Sequence, residues 1–465
     1  MQFSPERKSE TACPARSRFQ QLLPLLLLVG VTGLVYGVAA KFQFLATLDD
    51  FDYIKNNETV RTISLTTIRE AWSAFYVGNY APLHIMSYML DHALWGENPA
   101  WYHLENVAIH TVNGVLFYLL LQRLSLSVWQ ASAAAWIFLL HPVQVETVAW
   151  VSQRKNLLAM LFFLAAMHCY LAYMRSGRIR LYLPSLVSAA MATLSKSIAV
   201  ILPAVLLLFE FSYGKQGESS LQRRMLRLLP FAAVAAAVTV MAIASQADEA
   251  GGGRRGFVGG SPLTTFFTMV PVVVSYLQDC FWPFALTPYY MVPVRPAADA
   301  VFLLSILTLL ALAAGALYLS VRSRPALFWY GLFFIALVPV LHFVPLITLK
   351  NDRYLYFPLL GFAVVAAMGV SSLLSSLPKP LHVLLRYSMV VIMLIMPVVT
   401  FKQVLCWRDD FSVWNRAIAV DPENRLAWLM LAKVYTGRQE SQNALHALSR
   451  YEALKNIYGP VRGYE

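Results

Sequence analysis

Apolar residues along this chain gather into runs of membrane-spanning length, separated by short polar turns. The first run covers residues 21–40 and is followed by a polar, aromatic stretch over 41–103 that reads as a long loop. Further runs lie near 104–121, 129–140, 157–174, 181–194, 199–213, 228–244, 301–319, 327–341, 355–373 and 384–400. About eleven spans are expected in all. Residues 264–286 break the series. Pro271, Pro283 and Pro288 fall there and both flanks need the same side of the membrane, so re-entrant or interfacial helices are expected. Past Lys402 the pattern turns soluble and helical, with helices read over 407–421, from Asn424, and over about 439–455.

Composition supports a polytopic, all-α membrane protein. Hydrophobic residues make up 58% of the chain and charged residues 13%, against about 25% charged in soluble domains. The net charge of +12 sits largely in short loops, where it sets topology and meets anionic lipid; a nucleic-acid partner is not expected. Cys13, Cys169, Cys280 and Cys406 lie far apart, without metal-ligand spacing. Basic residues ahead of a run ending Val38-Ala39-Ala40 resemble a signal peptide, but the run is longer than a signal core, so a retained span is expected.

Arg7, Lys8, Arg16 and Arg18 hold the N-terminus in the cytoplasm. The loops with Arg175/Arg178/Arg180, Arg223/Arg224/Arg227, Arg322/Arg324 and Lys379/Arg386 then fall on the same side. The stretch 41–103 and the C-terminal helices fall outside, in a periplasmic or lumenal space. Arg154, Lys155, Lys196, Lys350 and Arg353 also land outside, against the rule that sorts the other cations inward. Each can snorkel to headgroups, and together they can hold a phosphate.

On that outer side lies the acidic cluster Asp49-Asp50-Phe51-Asp52. Carboxylates beside a bilayer are costly to desolvate, so they point to chemistry, ion binding or a polar mouth. His103, Asn106, His110 and Asn113 form one polar stripe on a helix, within about 80° of arc, which either seals an interhelical seam or lines a cavity. In His141-Pro142-Val-Gln-Val-Glu146-Thr-Val-Ala-Trp150-Val-Ser-Gln-Arg154-Lys155, proline starts a helix and Glu146, Trp150 and Arg154 share a face at i, i+4, i+8. Such a line suits a sugar phosphate or an internal Glu–Arg pair. Asp352 beside Arg353 offers that arginine a structural partner as well.

The segment from His141 to Glu210, with HPVQVETVAWVSQRKNLLAMLFF and TLSKSIAVILPAVLLLFE, resembles the membrane part of the tetratricopeptide-repeat transmembrane O-mannosyltransferases and their bacterial relatives. Ala81-Pro82-Leu83-His84 through His110, and Asn351-Asp-Arg353-Tyr354-Leu-Tyr-Phe-Pro358, fit the same family, as does the order of acidic pair, spans and outer repeats. The resemblance covers about residues 48–435. Ala427, Trp428, Leu431, Ala432 and Tyr435 resemble part of such a repeat, whose period is about 34 residues, so the C-terminal segment should dock on the membrane part or on a partner. Two departures are Ser197, where an acid often follows the Ser-Lys pair, and the shortness of the repeat region.

The resemblance implies a GT-C glycosyltransferase domain over 1–404 and a short tetratricopeptide-like region over 405–465. It also implies a polyprenyl-phosphate sugar donor and a hydroxyl acceptor on a protein or glycan. A hydroxyl needs a base, here Asp50 or Asp49 with Asp50 slightly favoured, and inverting attack follows. The departing phosphate needs fixed cations, for which Arg154, Lys155, Lys196 and Arg353 are the candidates. His84, His103, Asn106, His110, Glu146 and Trp150 would shape the pocket. A divalent cation on the Asp pair is compatible with this chemistry but not required, because the phosphate already has basic partners. A lipid-linked sugar transporter or a repeat-bearing scaffold uses the same spans without a base.

Overall fold

The computed structural model describes residues 18–214, 220–247, 256–459 and 461, with side chains from Leu23 onward. Arg7, Lys8, Cys13 and Arg16, and the side chain of Arg18, lie outside the described residues. Within them the chain is helical and has no strand beyond one isolated bridge between Tyr76 and Asn79.

Helix α1 (Arg18–Tyr36) is followed by an extended segment and a π-helical turn at Phe51–Lys55. The stretch read as a loop is in fact a small helical lobe, with α2 (Leu65–Ser73) and α3 (Pro82–Trp95). Local signals explain both helices. Ser64 and Thr67 form a capping box at the start of α2, and Pro82 stands in the first turn of α3. The lobe has its own apolar core, in which Phe44, Tyr53, Ile54, Val60, Ile85 and Tyr88 are buried.

The bundle continues through α4 (Pro99–Arg123), α5 (Val128–Leu140), the single turn α6 (Val145–Ala149), α7 (Arg154–Ser176), α8 (Ile179–Ser195) and α9 (Leu202–Tyr213). It goes on with α10 (Leu221–Ala247), α11 (Pro262–Phe281), α12 (Ala300–Arg322), α13 (Arg324–Leu337), α14 (Pro358–Ser376) and α15 (Lys379–Leu405). Among the described residues, eight helices are long and apolar enough to cross a membrane, namely α1, α4, α7, α10, α11, α12, α14 and α15. Helices α5, α8, α9 and α13 are apolar but shorter. Small residues let the backbones close up where lipid offers no hydrophobic drive between helices. A Cβ on Gly361 of α14 would sit 2.3 Å from the Trp329 carbonyl of α13, so only glycine fits this crossing.

Over the stretch where re-entrant or interfacial helices were expected, the chain forms one continuous helix, α11, which carries Pro271 inside it. Its length would let it cross. Its partners from Thr268 to Cys280 are Arg295 just before α12, Asn351 just before α14, and His141 at the end of α5. All three lie beside helix ends.

Helices α16 (Asp410–Val420), α17 (Arg425–Gly437) and α18 (Ser441–Tyr458) close the chain, starting at caps Asp409 and Asn424 for the first two. They dock on the same end of the bundle as the acids. Arg416 donates to the carbonyls of Leu286 and Phe284, and Asn424 donates to that of Tyr289.

Candidate functional site

After α1 the chain runs extended through Phe42, Phe44 and Leu45, all buried, and turns over residues 46–49. That turn separates the two acids. Asp50 points inward and is fully buried, accepting from the Leu45 amide at 3.0 Å, from the Ser152 amide at 2.9 Å and from the Ser152 hydroxyl. Burial pushes its carboxyl up to about 6, against the pull of those hydrogen bonds. Asp50 thus stitches the loop to the turn before α7. Asp49 is only half-buried, and among the described residues its carboxylate has no hydrogen-bond partner. The electrostatic neighbours of Lys155, Lys196 and Arg353 include Asp49 in each case. The acid favoured from sequence therefore has its carboxylate engaged by hydrogen bonds, whereas its neighbour has none among the described residues.

The expected line of Glu146, Trp150 and Arg154 does not form. Helix α6 ends at Ala149, Trp150 is extended, and a short 3-10 turn at Val151–Gln153 intervenes before α7. The kink sends the two charges to opposite sides. Arg154 is buried against Asp91 and Glu105, donates from Nε to Asn106 at 2.9 Å, and donates to the Tyr102 carbonyl at 2.9 Å. Tyr88 and Tyr102 lie under its guanidinium. With its donors so engaged, Arg154 ties α3, α4 and α7 together, and it leaves the phosphate set.

Glu146 instead meets Arg353. Arg353 Nη1 contacts Glu146 Oε1, and the Arg353 amide donates to Oε2 at 2.8 Å. The guanidinium lies 5.3 Å from the Trp150 ring, which stacks in turn on Trp407 at 5.8 Å and 20°. Asp352, considered as the partner of Arg353, accepts from Tyr290 instead, and Lys350 pairs with Asp279 at 2.6 Å.

The lysines are different. Lys155 Nζ donates to Tyr53 Oη at 3.0 Å and lies 4.6 Å from that ring, with no carboxylate in ion-pair contact among the described residues. Lys196, at the turn between α8 and α9, has no ion pair or hydrogen bond of its ammonium among the described residues, and the like charges of Lys155 and Arg353 act on it. His84 sits beside these cations, edge-on to Tyr53 and Tyr88, and neither ring nitrogen has a partner among the described residues. The buried Trp150 Nε1 is also unpartnered there.

The polar stripe of α4 serves largely as an interhelical seam. Asn106 holds Arg154 and donates to the Val151 carbonyl at 3.3 Å. His110 Nε2 faces the Leu139 carbonyl at 3.1 Å, which makes that nitrogen the donor and lets Nδ1 accept from Tyr356 at 2.9 Å. Asn113 bonds Tyr356 and the Leu157 carbonyl. His103 packs edge-on to Phe42 beside the Gln43 and Ala149 backbone. Asp49, Lys155, Lys196, Arg353 and Glu146 are thus joined by contact or charge, with Trp150 against Arg353 and His84 beside the lysines, while Asp50, Arg154, His110 and Asn106 have their polar groups engaged by neighbouring elements. Sequence reasoning missed Tyr53, Asp91 and Trp407. The aromatic spacing around Tyr53 and Trp407 was the one available signal.

No protein-family model matches the chain. Among curated proteins it is similar to protein O-mannosyl-transferase Tmtc2 of Drosophila melanogaster, 33% identical over 31% of this chain and 16% of that protein. It is also similar to TMTC1 of Mus musculus, 34% identical over 32% of this chain and 16% of that one. TMTC3 of Mus musculus is 23% identical over 79% of this chain and 43% of its own length. The chain spans less than half the length of these relatives. Among solved structures, the Archaeoglobus fulgidus oligosaccharyltransferase has a TM-score of 0.47 at 12% identity, covering 83% of this chain and 56% of that one. ArnT from Cupriavidus metallidurans bound to undecaprenyl phosphate has a TM-score of 0.45 at 16% identity, covering 94% and 76%. The resemblance carried by the motifs is thus a sequence similarity to protein O-mannosyl-transferases, extending with TMTC3 along 79% of this chain.

Proposed function

We propose that this chain is a GT-C glycosyltransferase that moves a sugar, mannose by analogy with its relatives' names, from a polyprenyl phosphate to a protein Ser/Thr hydroxyl at the outer face of the membrane. One observation carries the reading. Lys155 and Lys196 act on each other electrostatically without carboxylate partners in ion-pair contact among the described residues, and both feel the charge of a half-buried Asp49 that has no side-chain hydrogen bond there. Clustered like charges are costly unless an anion joins them. A lipid-linked sugar phosphate is such an anion.

The acceptor oxygen attacks the anomeric carbon as the bond from that carbon to the phosphate oxygen breaks. Asp49 takes the hydroxyl proton. The bonding electrons leave with the polyprenyl phosphate, whose growing charge falls to Lys155 and Lys196, with the fork of Arg353 held in place by Glu146. Attack opposite the leaving group inverts the anomeric carbon. His84 and Trp150 Nε1, buried without partners among the described residues, supply hydrogen bonds for sugar hydroxyls. Helices α16–α18 stand at the same end, where an acceptor protein could dock.

The test is release of free polyprenyl phosphate from a polyprenyl-phosphate mannose donor by detergent-purified protein with an acceptor peptide. Transfer requires that release. A transporter or a scaffold leaves the donor intact.

A further inference from the structure

We propose that the turn after α15 and the start of α16 are a positioning element for the site. Asp410 fixes the loop that carries Asp49, and Trp407 fixes the group of Trp150, Arg353 and Glu146. The catalytic part of this inference rests on the function proposed above; the structural part does not.

The loop has little to hold it from within. Over residues 42–49 its local backbone bonds are Phe42 to Ala39, a long one from Leu48 to Leu45 at 3.4 Å and one from the Tyr53 amide to the Asp49 carbonyl at 3.0 Å, and the Leu45 amide donates to the Asp50 carboxylate. The amides of Ala46 and Thr47 both turn to Asp410, at 3.0 and 2.9 Å, and the Thr47 hydroxyl contacts the same carboxylate. That hydroxyl accepts from Trp414 Nε1 at 2.7 Å, and the Gln43 amide donates to the Arg408 carbonyl at 3.2 Å. Two adjacent acids divide the labour. Asp409 caps its own helix by accepting from the Ser412 amide at 2.7 Å, which leaves Asp410 to reach across the chain.

Thr47 stands two positions before Asp49, so a shift of this anchor moves the carboxylate directly. The second contact acts on the group around Trp150. Trp407, 2% exposed, stacks on Trp150, 4% exposed, and Trp150 lies against Arg353. The stretch from Trp407 to Trp414 therefore touches both groups of the site. Misplacement of a reacting group by about 1 Å can cost on the order of 10²-fold in rate.

The experiment uses the full chain with Asp410→Ala, Asp410→Asn and Trp407→Phe. Amide exchange over residues 42–50 is measured beside kcat, donor KM and melting temperature. The inference expects faster exchange at Ala46 and Thr47 in Asp410→Ala and a kcat reduced about 10- to 100-fold, with donor KM unchanged. Asp410→Asn, which keeps one acceptor oxygen, should fall between Asp410→Ala and wild type, and it also serves if the alanine variant does not fold. Trp407→Phe, which shrinks the ring stacked on Trp150, should lower kcat by about threefold to tenfold with donor KM unchanged, and a wild-type kcat in it overturns the Trp407 part of the inference. Unchanged exchange over 42–50 overturns the clamp. Faster exchange with a wild-type kcat overturns positioning. A wild-type protein with no donor-dependent transfer overturns the proposed function instead, and exchange alone then decides whether the clamp exists.

Discussion

Glu146 and Arg353 stand 207 positions apart and close on each other at two points, guanidinium to Oε1 and backbone amide to Oε2. The Glu146 side chain is 1% exposed and that of Arg353 16%. Removing one partner strands a buried charge, which costs about 3–5 kcal/mol. Arg353→Ala should therefore lower the melting temperature markedly, whereas the double variant Glu146→Gln with Arg353→Gln should recover much of it. Arg353→Lys keeps the charge and loses the planar fork, so it should raise donor KM more than it lowers stability. Thermal melts and donor kinetics on the same preparations check this; an unchanged melting temperature in Arg353→Ala would contradict the pair.

Lys196 predicts the opposite balance. A cation held beside Lys155 and Arg353, with no ion-pair partner among the described residues, destabilises the empty protein. Lys196→Met should raise the melting temperature while weakening donor use by about tenfold or more, the signature of a residue kept for its ligand. A variant that melts lower and uses donor normally would assign Lys196 to structure.

Asp50 sets a pH window for stability. Its folded carboxyl titrates near 6 because of burial, above the ordinary value of 3.8. Between those values the folded chain binds more protons than the unfolded one, so this group's stabilisation is complete below about 4 and is lost as pH rises through about 6. The upper bound is roughly 3 kcal/mol. Melting of wild type against Asp50→Asn from pH 4 to 7 should show wild type losing ground as pH rises, while a parallel pair of curves would remove the effect.

The long apolar runs were legible because each reports on local composition. The lobe over 41–103 was less so. Its helices are short and amphipathic, and their start signals, the Ser64–Thr67 box and Pro82, are local punctuation easily passed over in a polar stretch. The site residues were identified as types before their partners were. Periodicity extended one helix through Trp150, but the chain turns there, and one turn reassigns Arg154 to Asp91 and Glu146 to Arg353. Pairs such as Thr47 with Asp410, 363 positions apart, are set by how helices pack and leave no mark in spacing.

Sidedness is open to direct labelling. With the four native cysteines removed, single cysteines at Asp52, Glu97 and Arg438 should react with an impermeant reagent from outside, and one at Arg322 should react only from the cytoplasm. Labelling of Glu97 and Arg438 from opposite sides would contradict the shared end at which the acids and the C-terminal helices meet.

The central claim is that Asp49, facing the lysines, takes the acceptor proton while Asp50 holds the loop. Its most direct test is the single-turnover rate of sugar transfer in Asp49→Asn at saturating polyprenyl-phosphate mannose, beside wild type. The account predicts a loss of about 10²–10⁴-fold with donor affinity and melting temperature close to wild type. A wild-type rate in Asp49→Asn would contradict it.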